Sequence, residues 1–171
     1  MESKQITHTL CPVYNKNSVV LVLGTMPSPK SRSVGFYYSH PQNRFWITIA
    51  EILNVETPLT IEEKITLLHA NGIAIWDVLA SCDISGADDS SIKNPEPNDF
   101  TEIFATANIK TVFTTGQKAT ELFKKHCQAK YGYEPVYLPS TSPANCRMSQ
   151  QELTSAYAKI NMYSNSGACL G

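Results

Sequence analysis

The chain has 171 residues, 42% of them apolar and 17% charged, with a formal net charge of −1. That length predicts one domain over residues 1–171, because single cores usually run to roughly 100–200 residues, and the apolar fraction excludes disorder, collagen-like repeats and low-complexity tails. The near-zero charge argues against a histone-like or polybasic membrane binder, so nucleic acid is a partner only if the cations gather on one face.

Four short runs rich in β-branched residues read as strands: Val19–Leu23, Ile73–Trp76, Thr111–Thr115 and Pro135–Leu138. Apart from the polar-ended third, they are near-continuously apolar, as strands covered on both faces of a parallel sheet are. Helical periods lie between them. Trp46, Ile49, Ala50 and Leu53 recur after Pro41, a residue suited to a first helical turn. Thr60 with Glu63 forms a capping box ahead of Ile61, Ile65 and Leu68, and Asn71-Gly72 ends that helix. Asn98 is a candidate cap for Phe100, Ile103, Phe104 and Ala107. Gln117–Lys130 carries Ala119, Leu122, Phe123 and His126 on one stripe. Ser149 with Glu152 caps Leu153, Ala156, Tyr157 and Ile160. The alternation predicts an α/β fold, a three-layer α/β/α sandwich around a central four-stranded parallel sheet with right-handed crossovers.

Five cysteines (Cys11, Cys82, Cys127, Cys146 and Cys169) stand far apart without C-x-x-C spacing. This predicts free thiols in a reducing cytoplasm, and no zinc or iron–sulfur site. No window reaches the roughly 18 apolar residues of a membrane span, and polar Met1–Thr9 does not read as a signal peptide. Residues 1–9 and 163–171 are expected to fray.

Two long loops, Gly24–Gln42 and Leu79–Asn98, leave the carboxyl ends of the first two strands, and Pro139–Met148 leaves the fourth. Open α/β sheets bind ligands at that edge, and loops of such length are more often functional than decorative. The first loop is neither a G-x-G-x-x-G fingerprint nor a P-loop. It supplies a tight turn with backbone amides, then aromatic rings, a His, an Asn and an Arg before a helix. A buried aromatic plug with a helix cap explains the same residues.

Gly35-Phe36-x-x-x-His40-Pro41-x-Asn43-Arg44-Phe45-Trp46 resembles the segment after the first motif of mismatch-specific uracil-DNA glycosylases, without a gap back to Gly24-x-x-Pro27. Ser140-Thr141-Ser142-Pro143-Ala144-Asn145 is similar to that superfamily's second motif, and the spelling looks most like its hypoxanthine-DNA (deoxyinosine) glycosylase branch. The resemblance runs from Val19 to about Ile160. The chain has Met26 where relatives carry a catalytic Asn or Asp, and Ser140 where they often carry a His. A thioether neither orients water nor accepts its proton; the resemblance implies that Asn43 supplies the missing amide.

What the resemblance implies is a monofunctional DNA glycosylase of base-excision repair, releasing hypoxanthine foremost, with uracil or xanthine as further substrates. The target nucleotide must leave the stack and enter a pocket. Amides around Thr25 and Met26 would face the base carbonyl, Tyr38 would stack on the base, and Asn43 would hold the water through its side-chain carbonyl. His40 would polarise the base, or serve equally as a cap or core partner. Asp77 matches a base-recognising Asn of some relatives, and a carboxylate capping a loop is its other reading. Pro143-Ala144 corresponds to the segment that enters the base stack. Ser28, Ser140, Ser142 and Asn145 offer phosphate contacts, while Lys30, Arg32, Arg44, Lys93 and Arg147 offer positive charge. The acidic stretch Asp83, Asp88, Asp89, Glu96 and Asp99 must turn away from DNA or cap the loop.

No cofactor or metal is expected, the partner is double- or single-stranded DNA with a deaminated base, and a monomer is the simpler state. Without a lysine placed to form an imine, strand cleavage is not expected. Two rivals remain at this stage: a non-catalytic DNA-binding module, with Met26 as the mark of lost chemistry, and a small-molecule hydrolase or nucleotide binder on the same edge. A serine hydrolase lacks its G-x-S-x-G elbow.

Overall fold

The structure, a computed structural model, describes residues 2–164. In chain order these form β1 (Lys4–Thr7), β2 (Val20–Gly24), α1 (Pro29–Val34), α2 (Phe45–Leu53), α3 (Ile61–Ala70), β3 (Ile73–Asp77), β4 (Leu79–Ser85), β5 (Asp88–Pro97), α4 (Thr101–Thr106), β6 (Thr111–Thr115), α5 (Gln117–His126), α6 (Gln128–Tyr131), β7 (Val136–Leu138), α7 (Gln150–Tyr157) and α8 (Asn161–Ser164). The four expected strands form one parallel sheet in the order β3-β2-β6-β7.

The central strand β2 shows why its sequence is apolar throughout. Val20 and Val22 pack with Phe45, Ile49, Leu68, Leu153 and Tyr157, from α2, α3 and α7. Leu21 and Leu23 pack on the other face with Ile103, Ala119 and Phe123, from α4 and α5, and with Phe100. A strand buried on both faces needs a hydrophobe at every position, each contributing about 1.5–3 kcal/mol when fully buried. The three-layer α/β/α arrangement follows. Both capping boxes form, Thr60 with Glu63 and Ser149 with Glu152.

Several boundaries differ from the sequence expectation. The stretch Leu79–Asn98 is mostly the β4–β5 hairpin, joined through Gly86-Ala87 with Gly86 at φ 57°. Its inward residues, Cys82, Ile84 and Ile92, alternate with polar ones, as on a one-sided antiparallel sheet. The first loop contains α1, and α2 starts at Phe45, so Pro41 lies before it. Asn98 does not cap α4: its Nδ2 donates to the carbonyls of Asp77 and Leu79, while Asp99 Oδ1 accepts from Thr101 N. The helix predicted over 117–130 breaks at Cys127, separating α5 from α6.

The N-terminus is not frayed over residues 2–9. Strand β1 pairs antiparallel with β4, from Lys4↔Ile84 to Thr7↔Ser81, completing a second sheet of order β1-β4-β5. The following residues stay attached, with Val13 bridging Ile75. Tyr163 and Ser164 end α8, and the rest of the tail lies outside the described residues, as does Cys169. Cys11, Cys82, Cys127 and Cys146 are free thiols. Among the described residues no helix is long and apolar enough to cross a membrane.

Candidate active site

The carboxyl ends of the parallel strands open into a cavity of about 950 Å³, within the roughly 300–1,000 Å³ of small-ligand pockets. Gly24 to Ser28 line it from the end of β2 onward, Asp77 at the end of β3, Thr115 to Gln117 at the end of β6, and Ser140 to Asn145 after β7. Tyr38, His40 and Asn43 come from the segment before α2, and Ser85 to Ser90 from the hairpin. The edge expected from topology is therefore the place where the singled-out residues meet.

Gly24 permits the close packing there. A Cβ on it would stand 2.5 Å from Asp77 Oδ1, 3.2 Å from the Tyr38 hydroxyl and 3.6 Å from Thr115 Oγ1. The amides of Thr25 and Met26 donate to no carbonyl or side chain among the described residues, which leaves them free for an acceptor in the cavity. Ser28 caps α1, its Oγ accepting from Ser31 N at 3.1 Å.

Tyr38 stacks on Phe45 with ring centroids 3.8 Å apart. One face is thus covered by protein, while the ring also lines the cavity. Its backbone is left-handed at φ 54°, an uncommon state for a bulky residue. Burial foremost, with the Asp77 carboxylate second, pushes its phenol far above the ordinary range. The hydroxyl is buried beside Thr115 without a well-formed hydrogen bond.

Asn43 is fixed by two donors. Its Oδ1 accepts from Phe45 N at 2.9 Å, at the start of α2, and from Thr141 Oγ1 at 2.9 Å, in the loop after β7. Both acceptor directions of that oxygen are occupied, so it is not free to hold water as the sequence reading expected. The Nδ2 amide is the polar end left to the cavity. His40 is constrained in the same way: Nδ1 accepts from Gln42 N at 3.1 Å, which puts the ring proton on Nε2 in the neutral form and makes that nitrogen a donor.

Arg44 has a structural task. Its guanidinium donates to Met148 O at 2.7 Å and Asn145 O at 2.8 Å, and its own N–H donates to Thr141 O. It latches the 139–148 loop to α2 rather than standing as a free cation. Asn145 Nδ2 closes the loop onto Ser140 O at 2.8 Å, and the Ser140 and Ser142 hydroxyls accept loop amides. Pro143 opens a 3-10 turn, Pro143–Asn145, with Ala144 exposed at its crest. Lys30 and Arg147 are exposed.

Two participants escaped the sequence reading. His8 Nε2 meets Asp77 Oδ2 at 2.8 Å, both side chains being nearly inaccessible (1% and 5%). Asp89, known only as part of an acidic stretch, lines the cavity and accepts from Thr25 Oγ1 at 3.0 Å. Asp88 lines it too, with Oδ1 taken by Ser90. Asp83 is instead held by Asn94, and Asp99 by Thr101 and Tyr131, away from the cavity. Nothing in an isolated polar histidine near the terminus signals the Asp77 contact. For Thr141 the signal was its place inside the second motif.

Comparison with known proteins agrees with this geometry. The family model "Uracil DNA glycosylase superfamily" matches residues 11–162. A hypoxanthine DNA glycosylase of Methanosarcina barkeri is 33% identical over 138 residues, covering 80% of this chain and 86% of its own. One from Methanosarcina acetivorans is 32% identical over 81% of this chain and 87% of its own. The solution NMR structure of a candidate uracil DNA glycosylase from Methanosarcina acetivorans superposes with a TM-score of 0.76 at 28% identity, covering 92% of this chain and 99% of that one. The chain belongs to the uracil DNA glycosylase superfamily.

Proposed function

We propose that the protein is a monofunctional DNA glycosylase that turns a deaminated nucleotide out of DNA and hydrolyses its N-glycosidic bond, hypoxanthine being the foremost base. Uracil and xanthine share the same carbonyl-bearing edge and belong to the same substrate class. The observation that carries this reading is the clamped Asn43 beside the unpaired amides of Thr25 and Met26 in one cavity. The two relatives named hypoxanthine DNA glycosylase support the choice of base.

In the reaction the bond between C1′ and the base nitrogen breaks, and its electron pair leaves with the base. Positive charge grows on the sugar and negative charge on the base. The Thr25 and Met26 amides donate to a carbonyl of the departing base, and His40 Nε2–H adds a donor; preorganised donors of this kind act where charge develops. A water adds to C1′, and its proton passes to the base anion or to solvent. Asn43 Nδ2 donates to that water's oxygen and holds it in place. A carboxamide is no base, so the acceleration comes from placement and electrostatics. Tyr38 offers the ring face not covered by Phe45 to the base. No lysine among the described residues lines the cavity, and an imine route to strand cleavage would need one.

Duplexes carrying single hypoxanthine, uracil or xanthine lesions, beside unmodified controls, test the reading. The expected result is free hypoxanthine and an abasic strand that stays intact until alkali treatment. Tight binding without release would instead favour a DNA-binding module. No DNA affinity would favour a small-molecule enzyme.

A further inference from the structure

The residue that follows the N-terminal strand is a histidine buried behind Asp77, which lines the cavity. Strand β1 is paired along β4, and His8 N continues that pairing onto Ala80 O at 2.6 Å. The imidazole then lies near Tyr37 and Trp76, with centroids 6.0 and 6.1 Å away. Leu10 N donates to His8 Nδ1 at 3.2 Å. A backbone N–H only donates, so Nδ1 carries the lone pair and Nε2 carries the proton that meets Asp77 Oδ2. The tautomer is set by the backbone. His8 also precedes residue 11, where the match to the family begins.

Asp77 is therefore held by one oxygen. Oδ2 is taken by His8, while Oδ1 sits over Gly24 next to the unbonded Tyr38 hydroxyl, in the wall of the cavity. A carboxylate oxygen accepts and does not donate, and Oδ1 is the acceptor that Asp77 leaves to the cavity. An N–H or an O–H satisfies Oδ1, and a base can do so only through a ring or exocyclic N–H turned to that edge. Hypoxanthine, uracil and xanthine each present a ring N–H beside a carbonyl. Adenine and unsubstituted purine present a ring-nitrogen lone pair there, which the carboxylate repels.

We propose that His8 is a positioning residue for base selection: its Nε2–H pins Asp77 so that Oδ1 accepts the ring N–H of a deaminated base. This rests on the glycosylase reading above. Without His8 the carboxylate turns about its side-chain bonds and no longer offers a lone pair at a fixed point.

The test measures single-turnover release of hypoxanthine and of unsubstituted purine from matched duplexes, by wild type, His8→Ala, His8→Gln, Asp77→Ala and the double alanine variant. Gln at position 8 retains an amide donor. The expected result is a loss of hypoxanthine release of about tenfold to a hundredfold in His8→Ala, with a smaller loss for purine, so that the selectivity ratio falls; sites built to pair a substrate N–H reject analogues lacking it. His8→Gln should restore most of the ratio. Because His8 acts through Asp77, the double variant should be no slower than Asp77→Ala alone. Multiplying effects, or a lower melting temperature with an unchanged ratio in the folded fraction, would overturn the role of His8 while leaving the glycosylase intact. A wild-type protein that releases no base would remove both readings together.

Discussion

Asn43 and Thr141 are 98 residues apart in sequence, yet the Thr141 hydroxyl donates to Asn43 Oδ1 at 2.9 Å. With the second donor, Phe45 N, this contact joins the two motif-bearing loops and turns one chemical end of Asn43 toward the cavity. The orientation predicts an asymmetry between variants. Asn43→Asp keeps both accepted hydrogen bonds but loses the Nδ2 donors, so base release should fall although the fold is kept. Thr141→Val frees the amide to rotate and should also slow release, by about tenfold, as expected when a positioned group is loosened. Single-turnover rates at saturating enzyme check both; an Asn43→Asp protein as fast as wild type would return the water-holding role to the oxygen.

Tyr38 rests on Phe45, and only its other face is available to a base. Base–aromatic stacking is worth roughly 1–3 kcal/mol, so Tyr38→Ala should weaken lesion binding by about tenfold to a hundredfold. Tyr38→Phe keeps the ring and removes a buried hydroxyl without a well-formed bond, so its affinity should match wild type and its melting temperature should not fall. Lesion affinity and thermal melting are measured on the same preparations. A Tyr38→Ala protein whose folded fraction binds lesions normally would make the ring a packing element alone.

Arg44 and Arg147 carry the same charge in different settings, and their variants should differ. Removing Arg44 unlatches the 139–148 loop from α2, so Arg44→Ala should lower the melting temperature and slow base release. Arg147 is exposed, and Arg147→Ala should leave both nearly unchanged. Its effect should appear as weaker binding to every duplex alike and a salt slope smaller by about one, the mark of a lost phosphate contact. Affinities measured between low and moderate salt decide this; an unchanged slope would remove Arg147 from the phosphate contacts.

Asp89 gives a pH signature. Asp89 as a residue is exposed, but desolvation of its carboxyl at the cavity wall raises it above the ordinary range, against the lowering effect of the Thr25 hydrogen bond and with help from Asp77 and Asp88. The folded protein thus holds this proton more tightly than the unfolded chain does, so the contribution to stability is present at low pH and is lost as pH rises through the folded value. Asp89→Asn keeps an acceptor for Thr25 and does not titrate. Wild type should therefore lose melting temperature relative to Asp89→Asn as pH rises from about 4. A difference that stays flat with pH would contradict this assignment.

Gly24 sits where a Cβ would meet a carboxylate that cannot easily retreat. Asp77 is held by His8, so Gly24→Ala should displace its Oδ1 from the 2.5 Å approach. The expected outcome is a folded protein with reduced lesion affinity and slower hypoxanthine release. Normal rates would mean that the Asp77 carboxylate moves aside without consequence.

The parallel sheet was legible because each central strand carries hydrophobes for two cores, and both capping boxes were legible because they are local. The β4–β5 hairpin was not, since its ten-residue second strand, Asp88–Pro97, is almost wholly polar and buries only Ile92. Its pairing is set by β4 and by the core beneath Cys82 and Ile84. The site followed the same division. Motif spacing pointed to Tyr38, His40, Asn43 and the 140–145 loop, all of which line the cavity. Which atom of Asn43 faces the substrate depends on Thr141, and the contact of His8 with Asp77 depends on β1 pairing with β4. Both are long-range relationships: the second motif marks Thr141 but not its bond to Asn43, and nothing local marks that of His8 to Asp77.

The most direct test of the central claim is single-turnover release of hypoxanthine from a duplex by wild type and Asn43→Ala, with DNA affinity measured on both. Wild type is expected to release free hypoxanthine and to leave an intact abasic strand. The variant is expected to release the base at least about 10²-fold more slowly at nearly unchanged affinity, as for loss of a positioned catalytic group. Release by Asn43→Ala at the wild-type rate would contradict that claim.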